Sequence, residues 1–343
     1  MKALVLEEYN RFACREVPRP DVGPEDVLVR VRACGICGSD VHGMDGSTGR
    51  RRPPIVMGHE AAGEIAETGE SVRGWSAGER VTFDSTVWCG TCAFCRRGEV
   101  NLCDDRRVLG VSCEEYRRDG AMAEFVSVPA RILYRLPDGV SFERAALVEP
   151  LSVAVHAVGR AGIRLGEVAV VVGTGMVGLL VLQAARAAGC GAVVAVDVDS
   201  RRLQLARELG ADLALDPRTA DVPREVRALT GGRGADVAFE VVGVTDAVAT
   251  AAASLRKGGR LVLVGNVSPR IELHLQAAVT RELSLLGSCA SSGEYPACLD
   301  LIARGKVRVD PLVSAAVPLA EGAEWFRRLR SGGEGLLKVL LIP

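Results

Sequence analysis

The sequence predicts an α/β protein of two domains. A mostly β domain is built from residues 1–150 and 289–343, and a doubly wound parallel sheet over residues 151–288 is inserted between them. Three observations carry this expectation. The length of 343 residues is more than one ordinary core organises. The middle of the chain alternates continuous apolar runs with Ala/Leu/Arg helices, the pattern of parallel strands covered on both faces. The flanking regions instead carry short β-branched runs, many Gly and Pro residues, and a cluster of cysteines.

In chain order, Val27-Leu28-Val29-Arg30-Val31 alternates as a half-buried strand does. The inserted domain offers four buried strands: Val168–Val172, Ala192–Val196, Val237–Val241 and Gly259–Val264. After residue 289 come a helix (Tyr295–Arg304), a strand-like Asp310–Val313, a second helix (Leu319–Arg330) and a closing strand (Gly335–Ile342). That tail is expected to pack back on the first domain.

Hydrophobic residues make up 48% and charged residues 25%, as in a soluble globular protein. A net charge of −1 provides no basic field for nucleic acid or an anionic membrane. No apolar run is long enough for a membrane span, and the amino terminus has no signal-peptide core, so the cytoplasm is the expected address. Eleven cysteines, four of them between Cys89 and Cys103, then point to metal rather than to disulfides.

The strand Val168–Val172 runs directly into Gly173-Thr174-Gly175-Met176-Val177-Gly178, and a helix follows over Leu179–Ala188. This is G-x-G-x-x-G between a strand and a helix, the context in which it signals dinucleotide binding. Gly173 permits the tight turn, Gly175 and the N–H groups of Met176 and Val177 face a pyrophosphate, and Gly178 lets helix and strand approach. Asp197 ends the next strand, 19 positions after Gly178, where a carboxylate can bind both ribose hydroxyls of NAD and repel a 2′-phosphate. NAD is therefore expected over NADP, with Arg201 and Arg202 nearby and of the opposite sign. Val264, at the end of a later strand, completes the expected cofactor contacts.

Cys89, Cys92, Cys95 and Cys103 follow the pattern C-x2-C-x2-C-x7-C. Four thiolates can close a tetrahedral shell on zinc with no position left for substrate. The competing metal is an iron–sulfur cluster, whose bacterial run has three residues before its last Cys, followed by Pro. Here seven residues intervene and Asp104 follows. A second constellation is dispersed: Cys37, His59, Glu60 and Glu149. One thiolate, one imidazole and one or two carboxylates make a zinc site that can admit an oxygen substrate.

Six segments together resemble the zinc-containing medium-chain dehydrogenases over nearly the whole chain. They are CGICGSDVH (34–42), GHEAAGEI (58–65), CGTCAFCRRGEVNLC (89–103), EPLSVAVHA (149–157), GTGMVG (173–178) and GLLKVLLIP (335–343). Glu149-Pro150 points within that family to the sorbitol, galactitol-phosphate, threonine and butanediol dehydrogenase branch. The resemblance implies a GroES-like catalytic domain and a Rossmann cofactor domain, with two zinc ions and NAD. Cys37, His59 and Glu60 would hold a catalytic zinc, and Glu149 would lie beside it as a ligand or through a water. Cys89, Cys92, Cys95 and Cys103 would hold a structural zinc.

The implied reaction is hydride transfer from a secondary alcohol, a polyol or its phosphate, to NAD. Ser39 and His42 would carry the proton to solvent; the alternative is a water with Glu149 or Glu60 as base. L-threonine and 2,3-butanediol dehydrogenases are the rival enzymes, and a catalytically silent binding protein on the same fold is the rival class. Lys338 reads as a packing or ion-pair residue. Arg50-Arg51-Arg52 reads as a solvated loop, or as a contact for a sugar phosphate. His156 reads as structural, and His274 has no evident role. The resemblance also implies a homo-tetramer, with a dimer as the alternative, joined through the strand near Leu283–Gly287.

Overall fold

The computed structural model describes residues 1–113, 116–332 and 335–343. The chain forms two compact units. One comprises Met1–Glu149, Tyr295–Arg304 and Val309–Pro343, the other Pro150–Glu294 with Gly305–Arg308. Against the expected junction at 288/289, the chain first returns to the first unit at Tyr295, and residues 305–308 belong to the second.

The first unit is organised by a seven-stranded sheet. Along one path lie Leu133–Arg135, Arg80–Phe83, Glu60–Thr68, Asp26–Gly35, Lys338–Ile342 and Val313–Pro318; Phe125–Pro129 also pairs with Asp26–Gly35. Val29 and Val31 point into the core while Arg30 and Arg32 are exposed, the period-two pattern read from the sequence. A hairpin of Lys2–Glu8 and Arg11–Glu16 covers part of that core, turning through Asn10 at φ +63°. Phe12 of this hairpin stacks on Phe326 of the helix Gly322–Ser331 at 4.3 Å between ring centroids. That contact and the closing strand attach the chain's tail to its beginning. Leu340 and Leu341 pair antiparallel with Gly35 and Cys34.

Three expectations for the tail change. Asp310–Leu312 is a 3-10 turn rather than a strand, because Pro311 has no N–H for a ladder; the strand is Val313–Pro318. The second helix starts at Gly322, after a 3-10 turn at Leu319–Glu321. The closing strand is Lys338–Ile342, since Gly335 turns the chain at φ +68° before the ladder begins.

The second unit is a six-stranded parallel sheet. Numbered in chain order, its strands Val168–Val172, Ala192–Val196, Leu213–Leu215, Ala235–Glu240, Leu255–Leu263 and Ser284–Gly287 lie in the spatial order 3-2-1-4-5-6. This is the doubly wound dinucleotide-binding order, with a reversal beside the first strand. Val170, Val194 and Ala238 are fully buried in the sheet, as the unbroken apolar runs require. The helix Ser200–Glu208 is capped locally: the Asp199 side chain accepts from the backbone N–H groups of Arg201 and Arg202 at its start.

Candidate active site and metal centres

Strand pairing assembles the first site. Asp26–Gly35 and Glu60–Thr68 run antiparallel, with Gly35 opposite Glu60, so Cys37 just beyond one strand meets His59 and Glu60 at the start of the other. Gly58 makes the approach possible. It holds φ +100°, and a Cβ there would lie 2.7 Å from both Cys34 Sγ and Met122 Cγ. The ligand atoms of Cys37, His59 and Glu60 lie within 4.8 Å of one another. Cys37 also caps the short helix Gly38–Gly43, its Sγ accepting from Ser39 N at 3.4 Å and Ser39 Oγ at 3.3 Å.

The charges around this cluster are arranged for a cation. Burial works against a charged His59, but Asp40, Cys37 and Glu149 overcome it and raise the imidazole to about 10. The negative groups gathered around His59 favour positive charge at this position. The donor set of sulfur, nitrogen and carboxylate suits zinc. Glu149, in the first turn of the helix Val148–Ala161, accepts from Ser85 Oγ at 3.2 Å. Loss of water raises its carboxyl to about 7, with His59 opposing and Glu60 and Asp84 adding to the rise. Glu60 is not free for the metal alone: Lys338 Nζ donates to its Oε2 and, at 3.0 Å, to Ile36 O. The ion pair between these two buried side chains fits one of the two roles expected for Lys338.

Behind His59 lies a pair that sequence reasoning missed. Asp40 Oδ1 is 3.6 Å from His59 Nδ1 and accepts from Arg51 Nη2 at 2.8 Å. Burial pushes the Asp40 carboxyl up, but His59 and Arg51 together hold it below its ordinary value. Arg51 is thus buried, which corrects the expectation of a solvated loop at that position; Arg50 and Arg52 are exposed.

Ser39 and His42 lie three residues apart on the helix Gly38–Gly43, and both are exposed. His42 lines a cavity of about 350 Å³ together with Ile36, Gly38, Val41, Arg330 and Leu336.

The four-cysteine lobe forms a second cluster in the same unit, its sulfurs all within 4.8 Å of one another. Cys89 Sγ accepts from Thr91 N and Cys92 N at 3.4 Å each, Cys92 Sγ from Cys95 N at 3.4 Å, and Cys103 Sγ from Cys89 N at 3.3 Å. Cys89 and Cys95 sulfurs are 3.9 Å apart. A tetrahedral shell with zinc–sulfur bonds near 2.3 Å needs about 3.8 Å between sulfurs. The Thr91 hydroxyl and the Thr91 and Cys92 amides lower the Cys89 thiol to about 6.

In the second unit the glycine turn has the geometry its sequence asks for. Gly173 is at φ +93°, and a Cβ on Gly178 would lie 1.8 Å from Gly173 O. Gly175 opens the helix Met176–Ala187, and a Cβ there would meet only Arg202 Nη1, at 4.0 Å. That open space and the free helix terminus suit a pyrophosphate. Asp197 Oδ2 accepts from Thr174 N at 2.7 Å and Oγ1 at 3.1 Å, while Arg202 Nη1 is 3.7 Å away. Gly173, Gly175, Asp197, Arg202, Val242 and Val267 help line a cavity of about 640 Å³. Val264 N donates to Glu240 O at 2.9 Å, fixing the end of the fifth strand.

Glu240 is a further residue that the sequence did not single out. Its Oε1 accepts from Val242 N and Gly243 N at 2.8 and 2.7 Å, tying the turn that packs on Gly173. Burial raises its carboxyl, with those two amides opposing. His156 pairs with Glu294 at 2.7 Å. His274 borders an apolar cavity of about 260 Å³ with Leu273, Leu283 and Leu285.

Residues 176–304 match the zinc-binding dehydrogenase family, and residues 23–138 match the alcohol dehydrogenase GroES-like domain. A sorbitol dehydrogenase of Bacillus subtilis is 34% identical over 347 positions, spanning 100% of this chain and 97% of the relative. Among solved structures, a Sinorhizobium meliloti protein bound to NADP has a TM-score of 0.91 at 34% identity, covering 100% of this chain and 99% of its own. Galactitol-1-phosphate dehydrogenase from Escherichia coli has a TM-score of 0.93 at 27% identity, with 100% of both chains covered. The chain belongs to the zinc-binding alcohol dehydrogenase family. It is an oxidoreductase acting on CH–OH groups with zinc and a nicotinamide cofactor.

Proposed function

We propose that this enzyme oxidises a secondary alcohol, a polyol or polyol phosphate, to a ketone, with NAD as hydride acceptor. The observation that carries the reading is the Cys37–His59–Glu60 cluster in a chain that also bears a complete dinucleotide turn. The polyol class is supported by relatives that act on sorbitol and on galactitol 1-phosphate. L-threonine and 2,3-butanediol are the alternative substrates; a butanediol dehydrogenase of Bacillus subtilis is 32% identical with a TM-score of 0.90.

Cys37, His59 and Glu60 hold the catalytic zinc in this reading, with Glu149 beside them, and Cys89, Cys92, Cys95 and Cys103 hold a structural one. Bound there, zinc supplies the Lewis acidity that makes an alcohol hydroxyl acidic near neutral pH, and nicotinamide supplies the hydride acceptor. Ser39 Oγ, beside the zinc cysteine, would accept the hydroxyl proton while giving up its own, and His42 on the same short helix would release a proton to solvent. Lys338 pairs with Glu60, whose carboxylate is shared between that ammonium and the metal in this reading. Gly173, Gly175, Met176, Val177 and Gly178 receive the pyrophosphate, and Val264 lies at the end of a neighbouring strand. Asp197 receives the ribose, which favours NAD; Arg202 stands close enough to weaken that preference. The enzyme works in the cytoplasm as a homo-tetramer or dimer.

The test is reduction of NAD and of NADP by zinc-loaded enzyme. The panel is sorbitol, galactitol, xylitol, their phosphates, L-threonine, 2,3-butanediol and ethanol. Turnover of a polyol or its phosphate, abolished by chelation and in Cys37→Ser, is the expected result. Threonine or butanediol as the sole good substrate would overturn the polyol class. Failure of every alcohol with zinc and NAD bound would favour a silent binding protein.

A further inference from the structure

We propose that Arg51 is a positioning residue for the zinc centre: it clamps Asp40 so that one buried carboxylate orients both Cys37 and His59. The inference rests on the zinc reading of Cys37, His59 and Glu60 given above. Asp40 is 0% exposed and Arg51 3%. Charged side chains are rarely buried this far without a paired partner, and here each is the other's partner at 2.8 Å. Gly43 makes room for the arginine, since a Cβ at that position would lie 2.9 Å from Arg51 Cγ.

Asp40 divides its acceptors among three groups. Oδ1 takes Arg51 Nη2 and faces His59 Nδ1 at 3.6 Å; Oδ2 takes the backbone N–H of Cys37 at 3.4 Å. His59 Nδ1 is buried and has no hydrogen-bond partner among the described residues. With that nitrogen turned to Asp40, the other ring nitrogen is left for the metal. A carboxylate behind a ligating histidine fixes the ring and its tautomer. That carboxylate must itself be held, and a guanidinium with its permanent charge does so from the far side. Arg51 Nη1 is anchored on Arg50 O at 3.2 Å, while Nε is buried and unpartnered. An orphan donor fits a side chain placed for the carboxylate rather than for its own hydrogen bonding.

The test uses the full-length enzyme carrying both zincs, with release to a chelator followed in time. The phase belonging to the four-cysteine lobe is assigned with Cys37→Ser. In Arg51→Leu, zinc leaves the Cys37–His59–Glu60 site about tenfold faster or more, while the lobe's phase is unchanged. With cobalt at the site, the visible bands of the variant shift. Arg51→Lys, which keeps the charge but not the fork, recovers part of the loss. In an Asp40→Asn background, the arginine substitution changes release less than twofold, because the carboxylate it acts through is gone.

Unchanged release and spectrum in Arg51→Leu would overturn the proposal. So would equal loosening of both zincs, the mark of a residue serving only the fold, or full additivity with Asp40→Asn. A wild-type enzyme whose only zinc sits in the lobe would instead remove the reading on which the proposal rests. Should Arg51→Leu not fold, Arg51→Lys and the double variant carry the same comparisons.

Discussion

Ser39 is where a single side chain decides between two proton routes. Its hydroxyl lies 3.3 Å from Cys37 Sγ, and the residue is exposed, so replacement by alanine removes little packing. Ser39→Ala is expected to lower turnover at least about tenfold, with zinc content intact, and Ser39→Thr to retain most of it. Turnover near wild type in the alanine variant would assign the proton to Glu149 or Glu60. Other residues at this scale were unequally legible in the sequence. The motif glycines could be read because the turn itself makes the demand: Gly173 holds φ +93°, and a Cβ on Gly178 would meet Gly173 O five residues back. Arg51 could not, because three consecutive arginines give the same local signal. Only Asp40, eleven positions away and brought back by the fold, distinguishes the middle one. Lys338 likewise meets Glu60 across 278 positions.

At the scale of elements, the cysteine lobe is the segment whose order would depend most on the proposed structural zinc. Between Cys89 and Cys103 it has one short helix, Ala93–Arg96, and a 3-10 turn at Val100–Leu102, with Asn101 and Cys103 as its buried residues. A loop with so little core would take much of its folding energy from ligation if zinc binds there as proposed. Cys92→Ser is expected to lose one zinc per chain. Cleavage by trypsin after Arg96 or Arg97 should then rise at least about tenfold, while the seven-stranded sheet stays resistant. Equal cleavage in wild type and variant would mean the lobe holds itself without metal. The parallel sheet was the most legible element, because strands buried on both faces leave unbroken apolar runs; Val168–Val172 and Ala192–Val196 fall at their expected bounds. Leu213–Leu215 was missed because three residues carry no periodicity. The tail was shifted because Pro311 and Gly335 act on the backbone, which an apolar count does not register.

At the scale of the whole molecule, the remaining question is how many chains act together. Ser284–Gly287 ends the six-stranded sheet, and among the described residues it pairs on one side only, with Leu255–Leu263. An open edge beside apolar surface invites a second chain. Leu285 is 38% exposed, and the adjacent helix Leu275–Thr280 shows Leu275 and Val279 at 66% and 65%. Those two stand four residues apart, hence on one helix face. A two-fold axis at the edge would pair Ser284–Gly287 with its own copy and cover these side chains in one self-complementary contact. Such an edge accepts one partner, so it builds a dimer; a tetramer needs a second surface elsewhere. Leu285→Lys places a charge in the centre of that contact, where it would meet its own copy across the axis. In sedimentation, the variant is therefore expected at half the wild-type mass, as monomers from a dimer or dimers from a tetramer. An unchanged mass would place the subunit contact away from the sheet edge, and the exposed face of Leu275 and Val279 would then need another occupant.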